Sequence, residues 1–201
     1  MLDEAGFNDC KIIACNALDE YLIKSLISQD AKIDTYAVGE NLITSATSPV
    51  FNGVYKLCAI EKNGEIIPKI KLSENPDKIT LPSFKKLYRF YDNATNKALA
   101  DVITLYDEEI PKDEYVIFDP EHPWKKKELT NYTVKPLLET IYKNGKLLYN
   151  SDILCEIRKY RENELNTLWD EVKRIENPTK YYVDLSERLW DLKNKMLNEW
   201  R

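Results

Sequence analysis

The chain has 201 residues, a formal net charge of −5 and a sequence pI near 5.2. This acidic balance excludes broad, sequence-independent nucleic-acid binding, which requires a basic surface. No apolar run is long enough to span a bilayer, and the acidic start "MLDEAGFNDC" is unlike a secretory signal. We therefore expect a cytoplasmic protein with neither a nucleic-acid nor a membrane partner.

Redox and metal chemistry has few candidate ligands. Cys10, Cys15, Cys58 and Cys155 form no CxxC pair, so we expect reduced, buried thiols. His122 is the only histidine, which leaves little for a multi-histidine metal site or a Ser-His-Asp triad. The sequence therefore predicts no metal site and offers no catalytic residue of these kinds.

Residues 1–49 alternate strand and helix. The runs "KIIACN" (11–16) and "KIDTYAVG" (32–39) are predicted strands, and "LDEYLIKSLISQ" (18–29) between them has apolar residues at helical spacing. This βαβ unit predicts two parallel, neighbouring strands joined by a right-handed crossover.

Residues 50–150 lack helical periodicity. Two "KNG" turns and one "NATN" turn separate runs that are rich in tyrosine and β-branched residues, and "YVIFD" is a further predicted strand. We therefore expect a segment built mainly of antiparallel hairpins.

Residues 151–201 return to helix. The motif "ENPTKYYV" breaks the helical pattern at Pro178, so two helices are expected. Asp184, followed three residues later by Glu187, predicts a capping box for the last helix. One apolar stripe is predicted for the first of them, through Leu154, Ile157, Leu165, Leu168, Val172 and Ile175.

One βαβ unit cannot bury both faces of its own sheet. A chain that opens with one such unit and continues in hairpins is typical of the tail of a larger α/β fold. We therefore interpret the chain as a fragment with three parts: a βαβ unit (1–49), a hairpin-rich segment (50–150) and a C-terminal helical pair (151–201).

Candidate ligand-binding residues follow the two parallel strands, since ligands gather at the carboxyl ends of such strands. Cys15 and Asn16 end the first strand, and Gly39 and Glu40 end the second. Asn16 can bond to ribose hydroxyls, and Gly39 lets the backbone approach a phosphate. The alternative is that Gly39 only serves a turn that requires positive φ.

A lysine cluster is the second candidate. Lys56, Lys69, Lys71 and Lys78 lie on or just after the first hairpin, and strand alternation predicts that Lys69 and Lys71 share one face. Lysines are common point-charge ligands of pyrophosphate. The alternative is a solvated strand face without a ligand.

The stretch "FDPEHPWKKKELTNYT" (118–133) is the third candidate. It places His122 between two prolines and Trp124 before three lysines. We expect a stiff loop with a hydrogen-bonded imidazole rather than a zinc site. The flanking acidic residues dilute any nucleic-acid patch here.

Longer strings along nearly the whole chain are peculiar to one family. They include "LDEAGFNDCKIIACNALDEYLIKSL", "AVGENLITS", "PKIKLSENPDKIT", "FDPEHPWKKKELTNYT" and "LWDEVKRIENPTKYYVDLSERLWDLK". These strings closely resemble the C-terminal portion of bacterial nicotinate phosphoribosyltransferase, a type II phosphoribosyltransferase. The resemblance implies the C-terminal part of an incomplete, TIM-like α/β barrel that works as a homodimer.

The resemblance also implies an activity. The family forms nicotinate mononucleotide from nicotinate and phosphoribosyl pyrophosphate, driven by ATP hydrolysis with Mg²⁺, in the salvage route to NAD. Nicotinate selection and the histidine that ATP phosphorylates belong to the N-terminal half of family members, and His122 does not match that histidine. We therefore expect this chain alone to be inactive.

The resemblance carries over to individual residues. Cys15 and Asn16 match the strand end that contacts the phosphoribosyl group, and Gly39 and Glu40 match the loop that binds the 5′-phosphate through backbone N–H groups. The family loop commonly reads Gly-Val-Gly-Thr, whereas this chain reads "AVGE". The change removes a hydroxyl donor, so the side chain of Glu40 has to turn away from the phosphate.

Three lysines match residues that reach the phosphates across the dimer interface in related nicotinamide-using enzymes: Lys56, Lys71 and Lys78. With Mg²⁺, they would stabilise the departing pyrophosphate electrostatically. Two other hypotheses stay open. The chain is a free-standing, truncated paralogue that acts as a structural or interaction module with a full-length subunit, or it is a small nucleotide-binding sensor.

Overall fold

The computed structural model describes residues 1–45, 48–50, 53–150 and 153–199. These residues have mixed α/β content, with many short strands and few helices. The chain divides into two compact units, Met1–Val54 and Tyr55–Arg201. The predicted division at residues 49 and 150 stays a prediction.

The first unit is a small βαβ arrangement followed by one helical turn. A 3₁₀ turn, Asp3–Ala5, precedes β1 (Ile13–Ala14), α1 (Glu20–Ser28), β2 (Thr35–Tyr36) and α2 (Glu40–Ile43). The predicted parallel pairing is confirmed, because Ile13 lies opposite Thr35. Helix α1 lies within the predicted run 18–29 but begins at Glu20, because the Asp19 carboxylate accepts the Leu22 N–H at 2.8 Å and caps the first turn.

The second unit begins with antiparallel strands. They are β3 (Ala59–Lys62), β4 (Glu65–Pro68), β5 (Lys85–Asp92), β6 (Ala98–Leu105), β7 (Glu114–Phe118), β8 (Lys126–Thr130), β9 (Tyr132–Pro136), β10 (Tyr142–Lys143) and β11 (Lys146–Leu147). The three predicted hairpins, β3–β4, β5–β6 and β10–β11, are confirmed. Both "KNG" turns place Asn and then Gly at positive φ, the backbone that a two-residue hairpin turn requires.

The core of the second unit lies between a four-stranded sheet and one hairpin. The sheet has the order β12-β6-β5-β9, where β12 (Val183–Leu185) runs parallel to β6. Phe90 and Val102 from the sheet are fully buried against Ile117 and Leu129 from the β7–β8 hairpin. Burial of these side chains supplies the main driving force for folding of this unit.

Helix α3 (Leu154–Thr167) ends earlier than the apolar stripe predicts. Leu168 is extended, and Val172 and Ile175 lie beyond the helix, so their assignment to its stripe is wrong. Tertiary contacts set this end. The Lys97 ammonium donates to the carbonyls of Asn166 and Leu168, at 2.8 and 3.1 Å, and so satisfies carbonyls that would otherwise favour another helical turn.

The capping box predicted for the last helix is also wrong. Asp184 lies in β12, a strand that helical patterning did not reveal, and its side chain is buried. Helix α4 (Glu187–Asn198) instead begins after Ser186, whose hydroxyl accepts the Leu189 N–H at 3.2 Å. The two expected C-terminal helices are therefore present, with a strand between them. Among the described helices, none has the length and apolar character needed to cross a membrane.

Candidate functional site

The loops that follow β1 and β2 lie side by side in the first unit. The Ala37 N–H donates to the Ala14 carbonyl at 2.8 Å, which extends the parallel pairing beyond the strands. The Asn41 side chain then donates to the Ala17 carbonyl at 3.0 Å and ties the two loops together. We call residues 15–17 and 37–41 the strand-end corner. It brings the four candidate residues of this unit to one edge, as predicted from the parallel strands.

The first loop of the strand-end corner has an unusual backbone. Asn16 has φ of 85° and Ala17 has φ of 50°, so two successive residues with Cβ atoms are left-handed. Asparagine adopts this conformation readily as a single residue, whereas for alanine it costs about 1–2 kcal/mol. Strain of this kind is concentrated at functional sites, where it fixes a backbone for binding.

The second loop turns directly into α2. Gly39 is the N-cap, and its carbonyl accepts the N–H groups of Leu42 and Ile43. Its φ is −136°, so the alternative that this glycine serves a turn with positive φ is wrong. A Cβ built on Gly39 would meet no atom within 4 Å, so open space lies in front of the backbone. Glu40 is exposed in the first turn of α2.

The thiols differ from expectation in one respect. All four cysteines are free, as predicted, but Cys10, Cys15 and Cys155 are exposed and Cys58 is only half-buried, so the prediction that they are buried is wrong. Exposure follows from position: each of the three exposed cysteines lies in an exposed loop or an exposed turn of helix. Cys15 therefore presents its side chain at the strand-end corner beside Asn16, which is also exposed.

The candidate lysines lie in the second unit, around the β3–β4 hairpin. Strand β4 ends at Pro68, so Lys69 and Lys71 follow the strand, and the prediction that they share one face of it is wrong. The Lys69 N–H donates to the Cys58 carbonyl at 2.8 Å and extends the hairpin register by one pair.

Lys78 joins the same neighbourhood through the loop that follows. It ends the 3₁₀ turn Pro76–Lys78, and the Thr80 hydroxyl two residues later accepts the Lys71 N–H at 2.9 Å. Lys56, Lys71 and Lys78 are exposed, and within the described part of the chain none of them forms an ion pair. Their ammonium groups are therefore available to an anionic ligand.

The imidazole of His122 is hydrogen-bonded, as predicted. Its Nδ1 lies 3.0 Å from Asp119 Oδ2, and the N–H groups of Glu121 and His122 donate to Asp119 Oδ1. These contacts, the His122 side chain foremost, lower the pKa of Asp119. The ligand atoms of Asp119, Glu121 and His122 lie within 4.8 Å of one another. The hydrogen bonds to both Asp119 oxygens close the turn at residues 119–122.

Comparison with known proteins decides the family. The family model described as "Nicotinate phosphoribosyltransferase C-terminal domain" matches residues 84–193. This chain belongs to the nicotinate phosphoribosyltransferase family. It is 42% identical over 200 residues to the nicotinate phosphoribosyltransferase of Bacillus subtilis (strain 168), which covers 99% of this chain and 41% of that protein.

Other nicotinate phosphoribosyltransferases are similar over the same region. The Caenorhabditis elegans protein is 35% identical over 188 residues, which cover 92% of this chain and 32% of that protein. The crystal structure of human nicotinic acid phosphoribosyltransferase has a TM-score of 0.69 at 24% identity, over 97% of this chain and 36% of that chain, and shows the shared fold. The chain thus spans about two fifths or less of the length of these relatives.

This family member also contains a charged network that the sequence analysis missed. Arg89 on β5 makes two contacts to Asp101 on β6, Nε to Oδ1 at 2.7 Å and Nη2 to Oδ2 at 2.8 Å. Its Nη1 lies 3.3 Å from Oε2 of Glu164 on α3, and the Tyr181 hydroxyl donates to Asp101 Oδ1 at 2.9 Å. The hydrogen bonds to Asp101 raise the pKa of Arg89 further above its usual value.

The network holds helix α3 against the sheet. A cavity of about 850 Å³ beside it is lined by residues of β5, β9 and α3, including Thr133, Lys135 and Asn166. The charges of Arg89 and Glu164 are matched within the protein, so the network fits a structural role. Counting residues across the predicted "NATN" hairpin from Asp92 and Lys97 would have placed Arg89 opposite Ala100. A register shift between Phe90 and Tyr91 places it opposite Asp101 instead, so the count does not reveal the pair.

Proposed function

We propose that this chain supplies the C-terminal part of a nicotinate phosphoribosyltransferase. The complete enzyme would form nicotinate mononucleotide from nicotinate and phosphoribosyl pyrophosphate, with ATP hydrolysis and Mg²⁺, in cytoplasmic NAD salvage. The observation that carries the proposal is the strand-end corner, where the loops after two parallel strands meet around an uncrowded glycine. Ligands of open α/β folds bind at such an edge.

The strand-end corner would hold the phosphoribosyl group. The first N–H groups of a helix have no intrahelical acceptor, so those of Gly39 and Glu40 can donate to the 5′-phosphate. The left-handed backbone at Asn16 fixes the loop beside them, where the Asn16 amide and the Cys15 segment would contact the ribose. The Glu40 carboxylate, which is exposed, would point to solvent and away from the phosphate.

The unpaired lysines would bind the pyrophosphate. Lys56, Lys71 and Lys78 present three positive charges around one hairpin, and a second subunit of a homodimer would bring them to the phosphates of its neighbour. Their charge would stabilise the leaving group as the bond to ribose breaks. Mg²⁺ would neutralise the remaining charge on the pyrophosphate. We assign neither a metal ligand nor a catalytic residue to this chain.

The first unit would complete a barrel together with chain segments that it does not contain. Large apolar side chains of β1 and α1 are exposed, with Ile13 at 63% and Ile27 at 61%. A two-stranded sheet with one helix has too few elements to bury such a surface. We therefore expect the chain alone to self-associate and to lack activity. A monodisperse monomer that unfolds cooperatively would contradict this part of the proposal.

A direct test joins this chain to the N-terminal part of the Bacillus subtilis relative, in place of that protein's own C-terminal segment. Nicotinate-dependent pyrophosphate release with ATP and Mg²⁺ is expected for the chimera and not for the 201-residue chain alone. Turnover by the chain alone, or a folded chimera without turnover, would contradict the proposal.

The lysine assignment has a sharper test in the same chimera. Lys71→Ala should raise KM for phosphoribosyl pyrophosphate about tenfold or more and leave KM for nicotinate unchanged, because only the phosphates meet the ammonium. Lys62→Ala, on the same hairpin, is the matched control and should change neither value. Equal loss for both substrates would refute the role of Lys71.

The second hypothesis is a truncated paralogue that serves as an interaction module with a full-length subunit. The same exposed apolar surface of the first unit favours it. Sequencing the DNA before the codon for Met1 separates the two. An in-frame continuation that encodes further barrel strands supports the enzyme, whereas a promoter and ribosome-binding site there support the module.

A further inference from the structure

A second cavity in the Tyr55–Arg201 unit carries unmatched charge of both signs. It has a volume of about 340 Å³ and lies between the β7–β8 hairpin and the segment that leads into β12. Its lining residues include none of those assigned above to phosphoribosyl pyrophosphate. The volume is at the lower end of the range for small-molecule sites, about 300–1,000 Å³, so a ligand of the size of a mononucleotide fits.

Asp184, one of the residues that line this cavity, has a buried carboxylate. Asp184 is 4% exposed, and its Oδ2 has no hydrogen-bond partner within the described residues. A buried acceptor left unsatisfied costs about 1–3 kcal/mol, and such a group in a native protein calls for a ligand, an ion or a water. Burial, with the negative charge of Asp119 nearby, raises the pKa of Asp184 to about 6. A ligand that donates a hydrogen bond to Oδ2 would remove this cost.

Four lysines line the same cavity: Lys180 and residues 125–127. All four are exposed, and none forms an ion pair within the part of the chain that the structure describes. A positive charge on this rim repels a simple cation that would otherwise suit Asp184. It favours a ligand that carries an anionic group next to its hydrogen-bond donor.

An aromatic face completes the arrangement. Tyr182 and Asp184 are two residues apart on one extended segment, so they lie on the same face of it. The Tyr182 ring is 49% exposed, and the Lys127 ammonium lies 5.7 Å from its centroid. A half-exposed tyrosine beside cations offers a surface on which a nucleobase can stack.

We propose that this cavity binds a nucleoside monophosphate whose base carries an amino group. The phosphate lies among the lysines at 125–127 and 180, the base stacks on Tyr182, and the amino group donates to Asp184 Oδ2. Asp184 Oδ2 has no hydrogen-bond partner and the four lysines form no ion pair among the described residues, while the Tyr182 ring has the Lys127 ammonium on one side. The proposal does not rest on the proposed function, because it uses other residues and needs no catalysis.

The test is isothermal titration calorimetry of the 201-residue chain at low ionic strength with three probes: adenosine 5′-monophosphate, purine riboside 5′-monophosphate and inorganic phosphate. Adenosine monophosphate should bind saturably with one molecule per chain. Purine riboside monophosphate lacks only the amino group and should bind about tenfold more weakly, the value expected for one hydrogen bond to a charged acceptor. Inorganic phosphate should bind more weakly than either nucleotide.

Variants assign the contacts. Asp184→Leu should reduce the affinity for adenosine monophosphate to that of purine riboside monophosphate. The affinity for purine riboside monophosphate itself should not change. Lys126→Ala with Lys127→Ala should weaken both nucleotides about tenfold and reduce the salt dependence of binding. The matched control replaces two exposed lysines of another hairpin, Lys143→Ala with Lys146→Ala, and should have no effect. Circular dichroism of each variant verifies that it is folded.

Four results would overturn the proposal. Absence of saturable nucleotide binding would mean that water alone satisfies Asp184 Oδ2. An equal loss of affinity in the Lys143→Ala, Lys146→Ala control would mean that the lysines act only through general charge attraction. Equal affinity for the two nucleotides would remove the amino-group contact. Preferential, tighter binding of single-stranded RNA would make the lysine rim a nucleic-acid surface.

Discussion

Replacing Arg89 by methionine should destabilise the second unit far more than replacing Lys135 by methionine. Both cations contact the same acceptor, Glu164, and both lie on neighbouring strands of one sheet. They differ in burial and in the number of carboxylates that they satisfy. Arg89 also forms the paired contact to Asp101, whereas Lys135 forms an ion pair only with Glu164 among the described residues.

The expected magnitudes follow from exposure. The side chains of Arg89 and Asp101 are 19% and 10% exposed, so removing the guanidinium leaves a carboxylate desolvated and unpaired. Breaking a buried pair in this way costs about 3–5 kcal/mol of the free energy of unfolding. Lys135 is 49% exposed and 3.3 Å from Glu164, and an exposed pair of this kind is worth about 1 kcal/mol or less.

Urea unfolding followed by tryptophan fluorescence measures both losses, provided that the m values agree between variants. A third variant, Arg89→Met with Asp101→Leu, should recover most of the stability, because it removes both charges of the buried pair and Glu164 keeps its ion pair with Lys135. The reasoning is refuted if Arg89→Met costs no more than Lys135→Met. It is also refuted if the double variant is no more stable than Arg89→Met alone.

Three further predictions concern the C-terminal segment. Burial and the charge of Asp119 raise the pKa of Asp184 from 3.8 to about 6, so the folded state binds more protons than the unfolded state between these values. Stability should therefore fall as pH rises from about 4 to 6, by up to about 3 kcal/mol, and Asp184→Asn should abolish this fall in urea titrations at pH 4 and pH 7. Ser186→Ala removes the α4 cap and the 2.6 Å hydrogen bond to Glu108, so thermal unfolding should show a loss of about 1–2 kcal/mol. Removal of such a cap usually lowers the free energy of unfolding by about 1 kcal/mol, so a loss below roughly 0.3 kcal/mol would contradict the capping role. Lys97→Met should fray the last turn of α3, seen as faster amide exchange at residues 165–168 with unchanged exchange in β5; unchanged exchange at 165–168 would contradict it.

Local signals explain which parts of the fold the sequence predicts. The hairpins carry their information in a few adjacent residues, since Asn-Gly at a turn favours the two-residue loop. The first helix carries its own cap in Asp19. The "NATN" turn sets the register of its hairpin only as far as the shift between Phe90 and Tyr91, so the pairing of Arg89 with Asp101 did not follow from the turn. Local sequence was therefore sufficient to predict the hairpins and the first helix.

Long-range contacts explain the rest. Strand β12 has only three residues and is extended because it pairs with β6, so no local sequence pattern predicts it. The end of α3 depends on an ammonium from Lys97, about seventy residues earlier in the chain. An apolar stripe that continues beyond residue 167 predicts a longer helix, but the hydrogen bonds from Lys97 end the helix there.

The candidate site shows the same limit. Parallel strands predict that the loops of the strand-end corner meet, and they do. The left-handed backbone at Ala17 has no signal in the sequence, because alanine favours right-handed conformations. Gly39 was open to two interpretations, and its φ of −136° excludes the turn with positive φ, whereas its contact with a phosphate stays a prediction. The roles of Cys15 and the three lysines stay predictions.

The pairing of β12 with β6 has a consequence for synthesis. Val183 pairs with Asp101, a separation of 183 − 101 = 82 residues. At a translation rate of about 5–20 residues per second, the outer edge of β6 waits roughly 4–16 s for its partner. An unpaired strand edge is a template for aggregation, and an inward charge such as Asp101 with its guanidinium partner discourages wrong pairing there. The Arg89–Asp101 ion pair thus disfavours wrong strand pairing during synthesis and stabilises the folded unit afterwards.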